Sequence, residues 1–193
     1  DPRKATPEAE GALLAFDTGP ANAPINDLLH ARLGVRYDQD GALAASGCIS
    51  VSLVEQFLTD NYFARMPPKS LDRNDFADLS ARVDQLSDGD AAATLTAMVA
   101  GSVVCALRQC PRPPKQVLVT GGGRLNPVLM ARLVEALGDA VASEMAGGNV
   151  AMSPATAKNH RVVRCTSDGP MPKMLYTPPS LRVVVVGSLS EES

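Results

Sequence analysis

Two turns in this sequence carry residue types that could do chemistry. The first is Phe16-Asp17-Thr18-Gly19-Pro20. The run Leu13-Leu14-Ala15-Phe16 reads as a short buried strand, and Asp17 would stand at its carboxyl end, where open α/β sheets place ligands. Gly19 would let the backbone approach a substrate closely, and Asp17 could act as a general base or orient a metal-bound phosphate. The same residues also fit a plain Asx-turn, in which the carboxylate accepts local backbone N–H groups. Local chemistry leaves both open.

The second turn follows Gln116-Val117-Leu118-Val119-Thr120, a β-branched run that predicts a central strand and leads into Gly121-Gly122-Gly123. Three successive glycines leave no side chain between backbone and ligand, which suits a nucleotide base or ribose. A helix opening near Asn126 would add free N–H groups and a positive dipole end. No Gly-Lys-Ser follows, and the spacing is not that of a dinucleotide fingerprint. A tight strand-to-helix connection is the alternative.

The elements that must hold these turns are mainly helical. Ile25 to Leu33 predicts a helix closed by Gly34, and Tyr37 to Gly41 a turn. Val51, Val54, Phe57, Leu58 and Phe63 recur at helical spacing until Pro67-Pro68. Asp75 to Val83 predicts a short helix with Phe76 and Leu79 inward, and Ala91 to Cys110 a long buried one that Pro111 ends. Asn126 to Leu137 predicts a helix with the stripe Leu129, Met130, Leu133, Val134 and Leu137. Residues 1–11 read as a loop, and beyond about Gly147 the pattern loses its period until a late strand at Val183 to Val186, so 147–193 is expected to be a divergent tail without firm order. Strand, glycine turn and helix in that order predict an α/β layer architecture.

Composition bounds the function. With 45% hydrophobic and 20% charged residues, the 193-residue chain reads as a soluble globular domain with a proper core. A net charge of −3 and the lack of a basic run argue against a nucleic-acid surface. Cys48, Cys105, Cys110 and Cys165 form no C-x-x-C pair, and His30 and His160 stand far apart, so no zinc site is expected. Neither a signal peptide nor a membrane-spanning apolar run is expected, which predicts a cytoplasmic protein. The chain starts at Asp1 without Met and reads as a piece of something longer.

Taken together, the residues resemble one family. Ala15-Phe16-Asp17-Thr18-Gly19-Pro20-Ala21-Asn22, with Asp27 beyond, is similar to the F-D-T-G-P-x-N segment of anhydro-N-acetylmuramic acid kinases. Tyr37-Asp38 with Gly41, Tyr62-Phe63 with Pro67-Pro68-Lys69-Ser70, Thr94 to Ala97, and Val119 to Gly123 with Asn126, Leu129 and Met130 look like further signatures in the family's order. The likeness runs from about Leu14 to Leu137. It implies the C-terminal half of a hexokinase–actin (ribonuclease H-like) kinase, an incomplete lobe with a mixed sheet flanked by helices.

Further implications follow from the resemblance. ATP with Mg²⁺ would be the cofactor, an amino sugar the substrate and a homodimer the assembly. The 1,6-anhydro ring would be opened by water, with Asp17 as base, and O6 phosphorylated. Thr18, Gly19, Pro20 and Asn22 would contact the sugar, and Gly121, Gly122, Gly123 and Asn126 the nucleotide. The departures matter too. The family's phosphate-binding G-T-S-x-D-G segment is not in this sequence, Ala151 to Arg161 does not match the sugar-contacting helix, and Leu71-Asp72-Arg73 replaces Thr-Gly-Arg. These residues alone are therefore expected not to turn over. An inactive remnant acting as a binding module is the non-enzymatic alternative. Aspartic protease is the other, but Pro20 follows Gly19 and no second Asp-Thr/Ser-Gly exists.

Overall fold

A computed structural model describes residues 15–72, 75–110, 116–137, 141–143 and 182–186. The described residues are mostly helical, and one small sheet is all that meets the α/β expectation. The helices are α1 (Ala23–Leu33), α2 (Ala42–Ser46), α3 (Val51–Leu58), α4 (Asn61–Ala64), α5 (Leu79–Arg82), α6 (Asp88–Leu107) and α7 (Pro127–Leu137). The strands are β1 (Gln116–Thr120), β2 (Val141–Ser143) and β3 (Arg182–Val186).

Helix α6 organises the rest. It has 20 residues, so it is about 30 Å long. Ser87 caps it by accepting from the Asp90 amide at 3.2 Å, and Asp88 and Asp90 place negative charge in its first turn. The cap sets its start three residues before the predicted Ala91. Ala91, Ala92, Leu95, Met98, Val99 and Val103 are buried on several sides, as a core helix must be. Contrary to the sequence expectation, α6 is long and apolar enough to cross a bilayer, but most of it lies buried inside the protein.

The segment from Gly47 to Arg65 runs along α6 residue by residue. Gly47 packs so tightly on Gly89 that a Cβ would overlap the Gly89 carbonyl. The Cys48 amide donates to Asp90 Oδ1 at 2.6 Å, and the Ser50 amide to buried Thr94 Oγ1 at 3.0 Å. Further on, Leu58 lies against Gly101, and Gln109 Nε2 donates to the Phe63 and Arg65 carbonyls at 2.6 and 2.8 Å. The Cys48 amide holds the Asp90 carboxyl below its ordinary range.

The stretch from Val51 to Phe63, whose helical spacing predicts one helix, is two helices, because the chain turns at Thr59 and Asp60. Asp60 Oδ1 caps α4 by accepting from Tyr62 N at 2.8 Å. The break brings Phe63 back onto Phe57, with ring centroids 4.9 Å apart, and lets Phe76 join both in one aromatic cluster. Val51, predicted inward, is 62% exposed. The predicted helix at 75–83 shrinks to α5, yet Phe76 and Leu79 are buried as expected.

Helix α1 starts at Ala23, two residues before the expected Ile25, with Pro24 in its first turn, where a missing N–H costs nothing. It ends at Gly34, left-handed at φ 70°. Arg32 clamps α1 to the entry of α6. Its Nη1 donates to the Leu86 carbonyl and Asp88, and its Nη2 to the Val83 carbonyl and Asp84, at 3.0–3.2 Å.

β1 lies at the centre of a mixed sheet, parallel to β2 and antiparallel to β3, in the order β2-β1-β3. Val117, Leu118 and Val119 are all buried, so both faces of β1 are covered. The predicted late strand is β3, which starts one residue earlier, at Arg182. The rest of the 147–193 region and residues 1–11 lie outside the described residues.

The tight crossing of Gly47 over Gly89 gives a direct test. Gly47→Ala is expected to lower stability by about 1–3 kcal/mol, as overpacking does, read from the urea midpoint. An unchanged midpoint would show that the crossing is looser than it stands here.

Candidate functional site

The Asp17 turn is not the end of a strand. Ala15 and Phe16 are irregular, and Leu13 and Leu14 lie outside the described residues. A strand needs a ladder of backbone bonds, and here the Asp17 amide makes a single one, to the Lys69 carbonyl at 3.2 Å.

What holds Asp17 is the loop after α4. The Tyr62 hydroxyl donates to the Asp17 carbonyl at 2.6 Å, and the Leu71 amide donates to Asp17 Oδ2 at 2.9 Å. The carboxylate is therefore not turned on its own Asx-turn; its donor lies 54 residues away in sequence. Asp17 Oδ1 has no hydrogen-bond donor among the described residues, and Asp17 is exposed. Two signatures separated in sequence, Phe16 to Pro20 and Tyr62 to Ser70, thus meet in space. The Pro67–Pro68 peptide bond is cis.

The turn then seats on α6. A Cβ on Gly19 would stand 2.6 Å from Ser102 Cβ, so glycine is needed here for close approach. Ser102 itself is buried, and its hydroxyl donates to the Val99 carbonyl at 2.7 Å. Ala21 follows in left-handed backbone at φ 52°, a costly conformation for a residue with a Cβ. Thr18, Pro20 and Asn22 are half-buried beside Asp17. Asn22 precedes α1 without a side-chain cap bond, and its carbonyl accepts from the Asn26 amide at 3.2 Å.

Burial, and next the Asp17 charge, push the Tyr62 phenol up to about 12, so it remains a donor at any physiological pH. The Lys69 ammonium donates to the Tyr62 carbonyl at 3.0 Å and sits 4.6 Å from the Tyr62 ring centroid and 5.8 Å from that of Phe16. Burial of that ammonium lowers its pKa from the ordinary value.

The glycine turn has a different character from the sequence expectation. Gly121, at φ 82° and ψ −176°, occupies a region open essentially to glycine alone. Gly122 to Leu125 form a short 3-10 turn, and Arg124 Nη1 donates back to the Gly121 carbonyl at 2.8 Å. The expected free N–H groups at the start of α7 are not there. Pro127 has none, Asn126 Oδ1 accepts from Val128 and Leu129 at 3.0 Å, and the Asn126 carbonyl accepts from Met130. Asn126 is thus the cap of α7.

Gly41, left-handed at φ 66°, leaves no room for a Cβ beside Asn126 and Val128. Buried Asp38 caps α2 by accepting from the Leu43 and Ala44 amides at 2.9 and 3.0 Å. The Tyr37-Asp38 and Gly41 signature therefore buttresses the glycine turn. Among the described residues no group of three or more His, Cys, Asp or Glu stands together to hold a metal.

Sequence reasoning did not single out Leu71, Ser102 or the Tyr62 hydroxyl as parts of the site. Only folding brings them to Asp17 and Gly19, and no local spacing could have shown it.

Two outcomes test this geometry. A phenol at about 12 in the fold against 10.0 in the unfolded chain contributes stability that is complete below pH 10 and lost as pH rises towards 12. The urea midpoint is therefore expected to fall over that window, and to fall less in Tyr62→Phe; equal falls would contradict the buried phenol. Gly19→Ala is expected to be destabilising and to be partly relieved by Ser102→Gly, with a coupling of about 1 kcal/mol or more in a double-mutant cycle. Additive effects would show that the turn does not seat on α6.

Known proteins now give this geometry a context. A family model described as anhydro-N-acetylmuramic acid kinase matches residues 5–158. The chain is 62% identical over 133 residues to the anhydro-N-acetylmuramic acid kinase of Ruegeria sp., a match covering 69% of the chain and 36% of that relative. It is 56% identical over 165 residues to the enzyme of that name from Cereibacter sphaeroides, covering 85% of the chain and 44% of the relative. The match thus covers less than half the length of each of these curated relatives. With the family model matched over most of its length, the chain belongs to the anhydro-N-acetylmuramic acid kinase family.

Proposed function

We propose that this chain is the catalytic part of an ATP-dependent kinase. The enzyme opens the 1,6-anhydro ring of anhydro-N-acetylmuramic acid with water and phosphorylates O6, in cytoplasmic recycling of cell-wall amino sugars. Family membership supports the kinase class and sets aside the aspartic-protease reading of Asp17-Thr18-Gly19. The observation that carries the reading is the state of the Asp17 carboxylate. The Leu71 amide restrains one oxygen, while the other is without a donor among the described residues, on an exposed side chain. A general base needs that combination of fixed direction and access.

In this reading Asp17 takes a proton from water as the water adds to the anomeric carbon. The bond from that carbon to the bridging oxygen breaks, and the oxygen keeps the electron pair as O6. ATP, bringing Mg²⁺ on its phosphates, supplies the phosphoryl group that O6 receives. Thr18, Gly19, Pro20 and Asn22 would line the sugar. Gly121, Gly122 and Gly123 would pass along the adenosine, with Asn126 holding the turn from beneath. Since Asn126 and Pro127 leave no free amide in the first turn of α7, the phosphates belong elsewhere, on a lobe of hexokinase–actin type outside this sequence. The 193 residues alone are accordingly proposed to be inactive.

The test is Asp17→Asn in the full-length kinase. Turnover of the anhydro sugar is expected to fall about 10²–10⁴-fold, the usual worth of general-base catalysis, with sugar affinity by calorimetry changed little. Retention of more than about a tenth of the activity would remove Asp17 from the base role.

A further inference from the structure

We infer that Tyr62 and Lys69 are a positioning pair for Asp17, fixing the 62–71 loop so that its Leu71 amide restrains one carboxylate oxygen and leaves the other accessible. The inference rests on the reading of Asp17 as the base.

Three atoms of Asp17 are held by this one loop. Its carbonyl accepts from the Tyr62 hydroxyl, its amide donates to the Lys69 carbonyl, and its Oδ2 accepts from the Leu71 amide. The direction of the carboxylate is therefore only as firm as the loop. Two devices stiffen the loop. At its start Gln109, just past the end of α6, holds the Phe63 and Arg65 carbonyls. At its end Lys69 folds back, donating to the Tyr62 carbonyl at 3.0 Å and covering the Tyr62 ring at 4.6 Å.

The chemistry of Lys69 supports a positioning role. It has no carboxylate partner among the described residues, although Asp17 and Asp75 are both close enough to act on the Tyr62 phenol. A cation spent on one carbonyl and two aromatic faces closes the loop upon itself without neutralising Asp17. Tyr62 is nearly fully buried, with its ring edge-on to Phe63 and Phe76, so its hydroxyl is aimed by packing. Among the described residues the charged groups around the Tyr62 side chain are Asp17, Arg65, Asp75 and Lys69.

The test is kcat and KM for the anhydro sugar in the full-length kinase, per folded enzyme, for wild type, Tyr62→Phe, Lys69→Met and Asp17→Asn. A carboxylate that loses its fixed direction is a poorer base for sugar already bound. In Tyr62→Phe and Lys69→Met kcat is therefore expected to fall about tenfold, while KM for the sugar and for ATP stays within about twofold of wild type. A kcat per folded enzyme equal to that of wild type would mean that these side chains serve stability alone, and would overturn the inference. Tyr62→Phe, which loses one oxygen atom, decides the matter even if Lys69→Met does not fold. Asp17→Asn separates the two claims. If that variant keeps more than about a tenth of the activity, Asp17 is not the base; if it loses the activity while Tyr62→Phe keeps the wild-type kcat, the positioning pair alone is wrong.

Discussion

The structure depends on how closely other segments can approach α6. Small residues set that approach: Gly89 under Gly47, Gly101 under Leu58, Ser102 under Gly19. Each contact brings backbone to within a side chain's width of the helix, where apolar atoms pack densely and a single added methyl group has nowhere to go. Because these residues lie on one rigid helix, their spacing along the axis is fixed. The segment from Gly47 to Arg65 is laid out by that spacing and ends at Gln109, next to the loop that reaches Asp17. The helix therefore governs the candidate site without contributing a catalytic group to it.

From that base the two turns are held in the same manner, each by a partner distant in sequence. Asp17 is gripped by Tyr62, Lys69 and Leu71, and the glycine turn is backed by Gly41 through Asn126. The polar groups of the two turns differ in what they have left to give. At the glycine turn the first amides of α7 are satisfied by Asn126. At Asp17 one carboxylate oxygen has no donor among the described residues, on an exposed side chain.

The sequence made local features legible wherever local chemistry decides. Gly34 stopped α1, the β-branched run gave β1, and the stripe Leu129, Met130, Leu133 marked the buried face of α7. It failed where distant partners decide. The break at Asp60 exists because Phe63 returns to Phe57. Asp17 looked like a strand end because its neighbours are apolar, but its bonds go to a loop some fifty residues on. The early start of α6 at Asp88, by contrast, was signalled by Ser87 with its two following aspartates. The family signatures stand apart in sequence, and which of them touch emerged only from the fold.

The central claim is that Asp17 Oδ1 is the open end of an otherwise restrained carboxylate and faces the water that opens the sugar ring. A crystal structure of the full-length kinase with the anhydro sugar bound measures this directly. The claim predicts an ordered water about 2.6–3.2 Å from Asp17 Oδ1 and in line with the anomeric carbon, with the Leu71 amide still on Oδ2. An Asp17 carboxylate turned away from the sugar, or held through both oxygens by the chain, would contradict it.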